Sequence, residues 1–109
     1  MANIGGSSIL APTPGATITI TIDSTAPRTI AAWTAAEIET VNISGTPLDG
    51  SMLVLIITND AGLGRVITLG TGFSANGTII GVVSKKSTAM FIASNGTFLE
   101  ISRVVGVLT

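Results

Sequence analysis

The strongest feature in the alternation of apolar and polar positions is Ser51–Asn59, where six apolar residues run unbroken from Met52 to Ile57. As a strand, this stretch points Leu53, Leu55 and Ile57 one way and Met52, Val54 and Ile56 the other, so both of its surfaces need apolar cover. The run is too short to span a bilayer, and its β-branched residues and flanking Gly50 and Asp60 argue against a buried helix. Ala16–Asp23 shows a different pattern, with Thr17, Thr19 and Thr21 alternating with Ile18, Ile20 and Ile22. That period of two predicts a half-buried strand with one apolar face and one face of hydroxyls.

Turn chemistry divides the rest of the chain into short segments. A turn at Ser24–Pro27 precedes a short strand at Arg28–Trp33. Thr34-Ala35-Ala36-Glu37 matches a capping box and admits one helical turn, while Thr40–Ile43 favours strand. Ala61-Gly62-Leu63-Gly64 turns the chain, so Arg65–Leu69 is expected as the returning strand of a hairpin. Asn76-Gly77 and Asn95-Gly96 tolerate the positive φ angles of type I′ turns and predict two further hairpins, with strands at Thr78–Val83, Thr88–Ser94 and Thr97–Val104. Short strands at this spacing predict an all-β, single-domain antiparallel β-sandwich, jelly-roll-like, of about eight strands over residues 16–109.

Residues 1–15 read as a flexible, extended N-terminal arm rich in Gly, Ser, Pro and Ala. Ile4, Ile9 and Leu10 give that arm apolar anchors that a plain spacer would not need. The apolar stretch containing Val105, Val107 and Leu108 either closes the last strand on its own core or packs on a neighbouring subunit. Trp33 is either a core residue or an interface anchor, because a lone Trp is a common hot spot.

Composition sharpens this picture in one respect. The 109 residues suit one domain, and 46% of them are apolar, but only 10% are charged against about 25% in ordinary globular chains. A small monomer relies on surface charge to stay unassociated, so much of this surface is expected to face protein. A net charge of -1 gives no footprint for nucleic acid or an anionic membrane, and neither is expected as a partner. The first charged side chain is Asp23, so residues 1–22 lack the positive start of a secretory signal, and use without export is expected.

Without His or Cys, a Ser-His or Cys-His nucleophile and a thiolate metal site are excluded. Glu37 and Glu39, at i and i+2, would share one face of a strand, loosely like a glycosidase pair, but the chain has one Trp, three Phe and no Tyr to line a sugar cleft. Asp23, Asp49 and Asp60 fall in separate loops without the Asp-x-Asp-x-Asp run of a calcium loop. Gly62-x-Gly64 and Gly70-x-Gly72 lack the Gly-Lys-Ser/Thr ending and the helix that a phosphate loop requires. No catalytic residue, cofactor, metal or small-molecule substrate is expected.

From Gly45 onward the order of elements carries a resemblance. The matching pieces are Gly50–Asp60, Gly64-Arg65-Val66-Ile67-Thr68-Leu69-Gly70-Thr71-Gly72-Phe73, Lys86-Ser87-Thr88, Phe91, and Asn95-Gly96-Thr97-Phe98-Leu99-Glu100. Together they are similar to the β-sandwich modules of tailed-phage virions, found in capsid decoration (cement) proteins and in fibre or appendage proteins. The resemblance implies a homotrimer without catalysis. The expectation that follows is a decoration protein of the outer capsid surface, made in the host cytoplasm and bound to the major capsid protein. In it, Ile4, Ile9 and Leu10 would make shell or neighbour contacts, and Trp33, Val105, Val107 and Leu108 would make subunit contacts. The alternative is a fibre module that binds a host receptor or carbohydrate, which requires exposed aromatics drawn from Trp33, Phe73 and Phe98.

Overall fold

The computed structural model describes residues 3–4, 7–74 and 77–108, with side chains described for 8–74 and 77–106. Among these residues the chain forms ten strands: β1 (Asn3–Ile4), β2 (Ser7–Leu10), β3 (Thr17–Thr21), β4 (Arg28–Ala35), β5 (Glu39–Ser44), β6 (Met52–Asn59), β7 (Val66–Leu69), β8 (Thr78–Ile80), β9 (Lys86–Ser94) and β10 (Thr97–Leu108). They make a six-stranded sheet in the order β1-β2-β4-β6-β9-β10 and a four-stranded sheet in the order β3-β5-β7-β8. The buried faces of the two sheets supply the core, which includes Ile18, Ile20, Val41, Leu53, Leu55, Ile67, Phe91 and Phe98. The fold is therefore all-β and sandwich-like, as the alternation predicts.

The connectivity differs from the expected antiparallel jelly roll. From β2 to β7 successive strands alternate between the sheets, so neighbours within each sheet run parallel: β2 beside β4, β4 beside β6, β3 beside β5 and β5 beside β7. The chain thus winds as a flattened coil, and antiparallel pairing enters at its margins through β1–β2, β6–β9, β9–β10 and β7–β8. The physical reason lies in the strands' own pattern. A strand with one apolar side needs cover from across the core, so a chain that crosses to the opposite sheet sets one buried side against the next.

The β6–β7 connection shows how such a crossing is built, and it corrects the expected hairpin there. The buried Asn59 donates through Nδ2 to the Leu63 carbonyl at 2.6 Å and accepts from the Arg65 amide at 2.7 Å. Asp60 and Arg65 close the same loop with a two-point ion pair, both bonds 2.9 Å long. These contacts turn the chain out of the six-stranded sheet, and β7 then pairs with β5 in the other one.

The hairpin at Asn95-Gly96 forms as its turn residues predict: φ is 56° at Asn95 and 81° at Gly96, and Ser94 faces Thr97 across the turn. The other expected hairpin falls partly on Asn76, which lies outside the described residues, and β8 is confined to Thr78–Ile80. Thr34 and Ala35 continue β4 instead of starting a helical turn. Of residues 1–15, Ser7–Leu10 lies as β2 against β4, with Ser8 fully buried.

Phe91 sits on the inner side of β9, fully buried and 5.0 Å in ring-centroid distance from Phe73. Phe91→Ala is expected to cost about 3–5 kcal/mol, seen as a lower urea midpoint with unchanged slope. A loss below about 1 kcal/mol would show that this layer is not packed as described.

Candidate interaction surface

The outer faces of the two sheets differ in chemistry. Paired residues project to the same side, so register alone groups side chains into rows. On the four-stranded sheet one outward row reads Thr17, Thr40, Thr68, Thr78, and the next positions pair Thr19 with Asn42 and Thr21 with Ser44. This is a hydroxyl and amide surface, with Val66 and Ile80 paired at one corner.

On the six-stranded sheet the outward rows are largely apolar. One reads Ile9, Ile30, Val54, Met90, Ser102; another Arg28, Met52, Ile92, Leu99; a third Ala32, Ile56, Thr88, Val104. Met52, Val54 and Ile56 are half-buried by their neighbours, while Ile9, Met90 and Leu99 are 52%, 37% and 39% exposed. Within these rows the one charged residue is Arg28, at the start of β4, and Lys86 lies beyond them where β9 begins. The apolar cover that the sequence demands for both sides of β6 is thus supplied on its inner side by the core and remains half-open on its outer side.

The residues singled out from the sequence fall in several places. Ile9 projects from this outer face near the edge, whereas Leu10 packs against the core. Val105 is half-buried and packs against the core. Trp33 is a core residue, 6% exposed, so of its two readings the interior one describes its position. The backbones of Ile4, Val107 and Leu108 belong to β1 and β10, and their side chains lie outside the described residues. Ile30, Met90, Ile92 and Leu99 join Met52, Val54 and Ile56, whose side of β6 the sequence leaves in need of cover, to form the surface. The signal for Met90 and Ile92 is the unbroken apolar run Ala89–Ala93, which, like Met52–Ile57, leaves no polar side to the strand.

The carboxylates take separate roles. Glu37 is exposed and precedes β5, while Glu39 is buried, so the two do not share a face. Asp49 accepts a hydrogen bond from the Asn95 amide at 3.0 Å, and Asp60 holds Arg65, which keeps its carboxyl below the usual range. No cluster of three or more His, Cys, Asp or Glu suited to a metal occurs among the described residues.

Glu39 accepts the indole N–H of Trp33 at 2.8 Å across the core, and its other oxygen is buried with no hydrogen bond among the described residues. Burial pushes its pKa up from the ordinary 4.5, and hydrogen bonding from the Trp33 indole and the Gly15 backbone only partly offsets this. No known protein family matches the chain, and neither does any curated protein.

Because the Glu39 pKa is raised on folding, the folded chain holds that proton more tightly than the unfolded one. The stability linked to it is in place below about pH 4.5 and is lost as pH rises through the folded value. Glu39→Gln is therefore expected to raise the melting temperature at pH 7 and to change it little at pH 4. An equal difference between the two chains at both pH values would show that the carboxyl is not perturbed.

Proposed function

We propose that this chain is a non-enzymatic structural protein of a virion, of the capsid decoration type, which binds across major capsid subunits and stabilises the shell. The observation that carries the reading is the asymmetry of the sandwich. One broad sheet face is apolar and nearly free of charge, and a face of that kind suits burial against protein. The class of partner and the homotrimer are drawn from the resemblance of the sequence from Gly45 onward to phage β-sandwich modules.

The mechanism is mass action. A protein that binds the assembled shell but not its separated subunits stabilises the shell by the free energy of binding, about 2.7 kcal/mol per site at a hundred times the dissociation constant. Repetition over many sites multiplies the effect without any chemistry. The fibre alternative draws less support, because Trp33 and Phe98 lie in the core and Phe73 packs on Phe91.

The test uses capsids assembled from the major capsid protein of the genome that encodes this chain. The full chain is expected to co-sediment with them and to raise the temperature at which they dissociate. Truncation of residues 1–6, which spares β2, is expected to weaken co-sedimentation while leaving the circular dichroism of the free protein unchanged. Capsids whose sedimentation and heat stability ignore saturating protein would remove the decoration reading.

A further inference from the structure

We infer that the outer face of the six-stranded sheet is where copies of this chain pack together, through Ile30, Val54, Ile56, Met90, Ile92 and Leu99. The inference deepens the proposed reading by assigning its self-association to one face, and it rests on that reading for the expected number of chains. It does not rest on the capsid.

The extent of the face is the first argument. Five strands about 4.8 Å apart, with about 3.3 Å per residue along the eight residues of β6, span on the order of 600 Å² in plan before side-chain relief is counted. Contiguous apolar patches on monomers stay within a few hundred Å², and a stable interface takes about 800 Å² of accessible surface from each partner. The face therefore stands at the upper end of the patches that monomers carry, and with side-chain relief it approaches one partner's share of a stable interface.

Chemistry chooses the occupant. The row through Ile30, Val54 and Met90 and the row through Ile56 and Thr88 hold no charged side chain; Arg28 begins the row of Met52, Ile92 and Leu99, and Lys86 lies at the opposite end of the face. An occupant bearing charges at its centre would leave them desolvated and unpaired, which is costly. Apart from Arg28, the rows offer hydrogen-bonding side chains only at Thr88 and Ser102, so they do not select a polar surface. The matching surface present wherever this chain is made is the same face of another copy, which brings the same flat, apolar, twisted sheet. Two such sheets stack about 10 Å apart with interleaved side chains, as the two sheets of one sandwich do. Two faces meeting about a two-fold axis, or three lining a three-fold axis, bury the same rows. The hydroxyl face of the four-stranded sheet stays in water in either case.

The experiment is light scattering after size exclusion on the full-length chain and on Val54→Lys. Val54 is central and points outward, so a lysine there puts a charge into the contact without entering the core. The wild-type chain is expected as a multimer, three chains on the proposed reading, and Val54→Lys as a monomer that still melts cooperatively. Should Val54→Lys fail to fold, Met90→Lys at the more exposed neighbouring position gives the same decision. Peroxide gives a second reading: Met90, 37% exposed in the single chain, should oxidise more slowly in the wild-type multimer than in the Val54→Lys monomer.

A wild-type monomer at 100 μM, a multimer that survives the lysine substitution, or a Met90 oxidised as fast in the wild-type chain as in Val54→Lys would each overturn the inference. A multimer dispersed by the lysine that nonetheless ignores capsids would remove the decoration reading and leave this one standing.

Discussion

The constraint on which everything else depends is that each strand has a side that must leave water, and that side is covered from across the core and not by its neighbours in the sheet. Leu53, Leu55 and Phe91 on one sheet face Ile18, Ile20 and Val41 on the other, and all six are fully buried. A chain that crosses the core after each strand meets that demand as it proceeds, setting one buried side against the next. The parallel pairs β2–β4–β6 and β3–β5–β7 are the geometric result of repeated crossing. Once crossing is the rule, register decides which residues share a row, and the rows decide which surfaces are apolar.

Polar residues within the sandwich and along its edge act as its joints. Asn59 satisfies the backbone of the loop that carries β6 into β7, as a buried amide can when its donors and acceptor all find partners. Arg103 pairs with Glu100 on its own strand and also donates to the Thr78 carbonyl at 2.7 Å, tying β10 to β8 where the two sheets meet at their edges. Glu39 is the joint with an unmet demand: one oxygen is served by Trp33 and the other is not.

Much of this was legible in the residues. The threonine–isoleucine alternation at Thr17–Thr21 produced the strand it implies, and the Asn95-Gly96 pair made its turn. The six-residue apolar run at Met52–Ile57 gave the central strand of the broad sheet. What could not be read was which strand each one joins. Gly-rich loops such as Ala61–Gly64 reverse the chain whether it returns beside the same strand or across the core, and the deciding contacts of Asn59 come from packing. Trp33 was open for a similar reason, since its sequence neighbours do not reveal that Glu39 lies opposite in the other sheet. The apolar outer face was half-legible: two strands without a polar side announce it, but its continuity through Ile30 and Leu99 depends on register.

The winding of the chain also sets the order in which it can fold. Thr17 has to find Thr40, and Arg28 has to find Met52, so each parallel pair closes a long loop that contains a strand of the other sheet. Such closure is slow compared with a hairpin, which forms in about 1–10 μs. The one long hairpin, β9–β10, is the local element on which β6 can dock through β9, with β4 and then β2 adding in turn. Yet β9 and β10 are the last of these strands to be translated, several seconds behind β2 at about 5–20 residues per second. During synthesis the apolar strands therefore emerge before their template exists. For that interval β6 has both of its apolar sides and the edge that β9 will cover without a partner from the later strands.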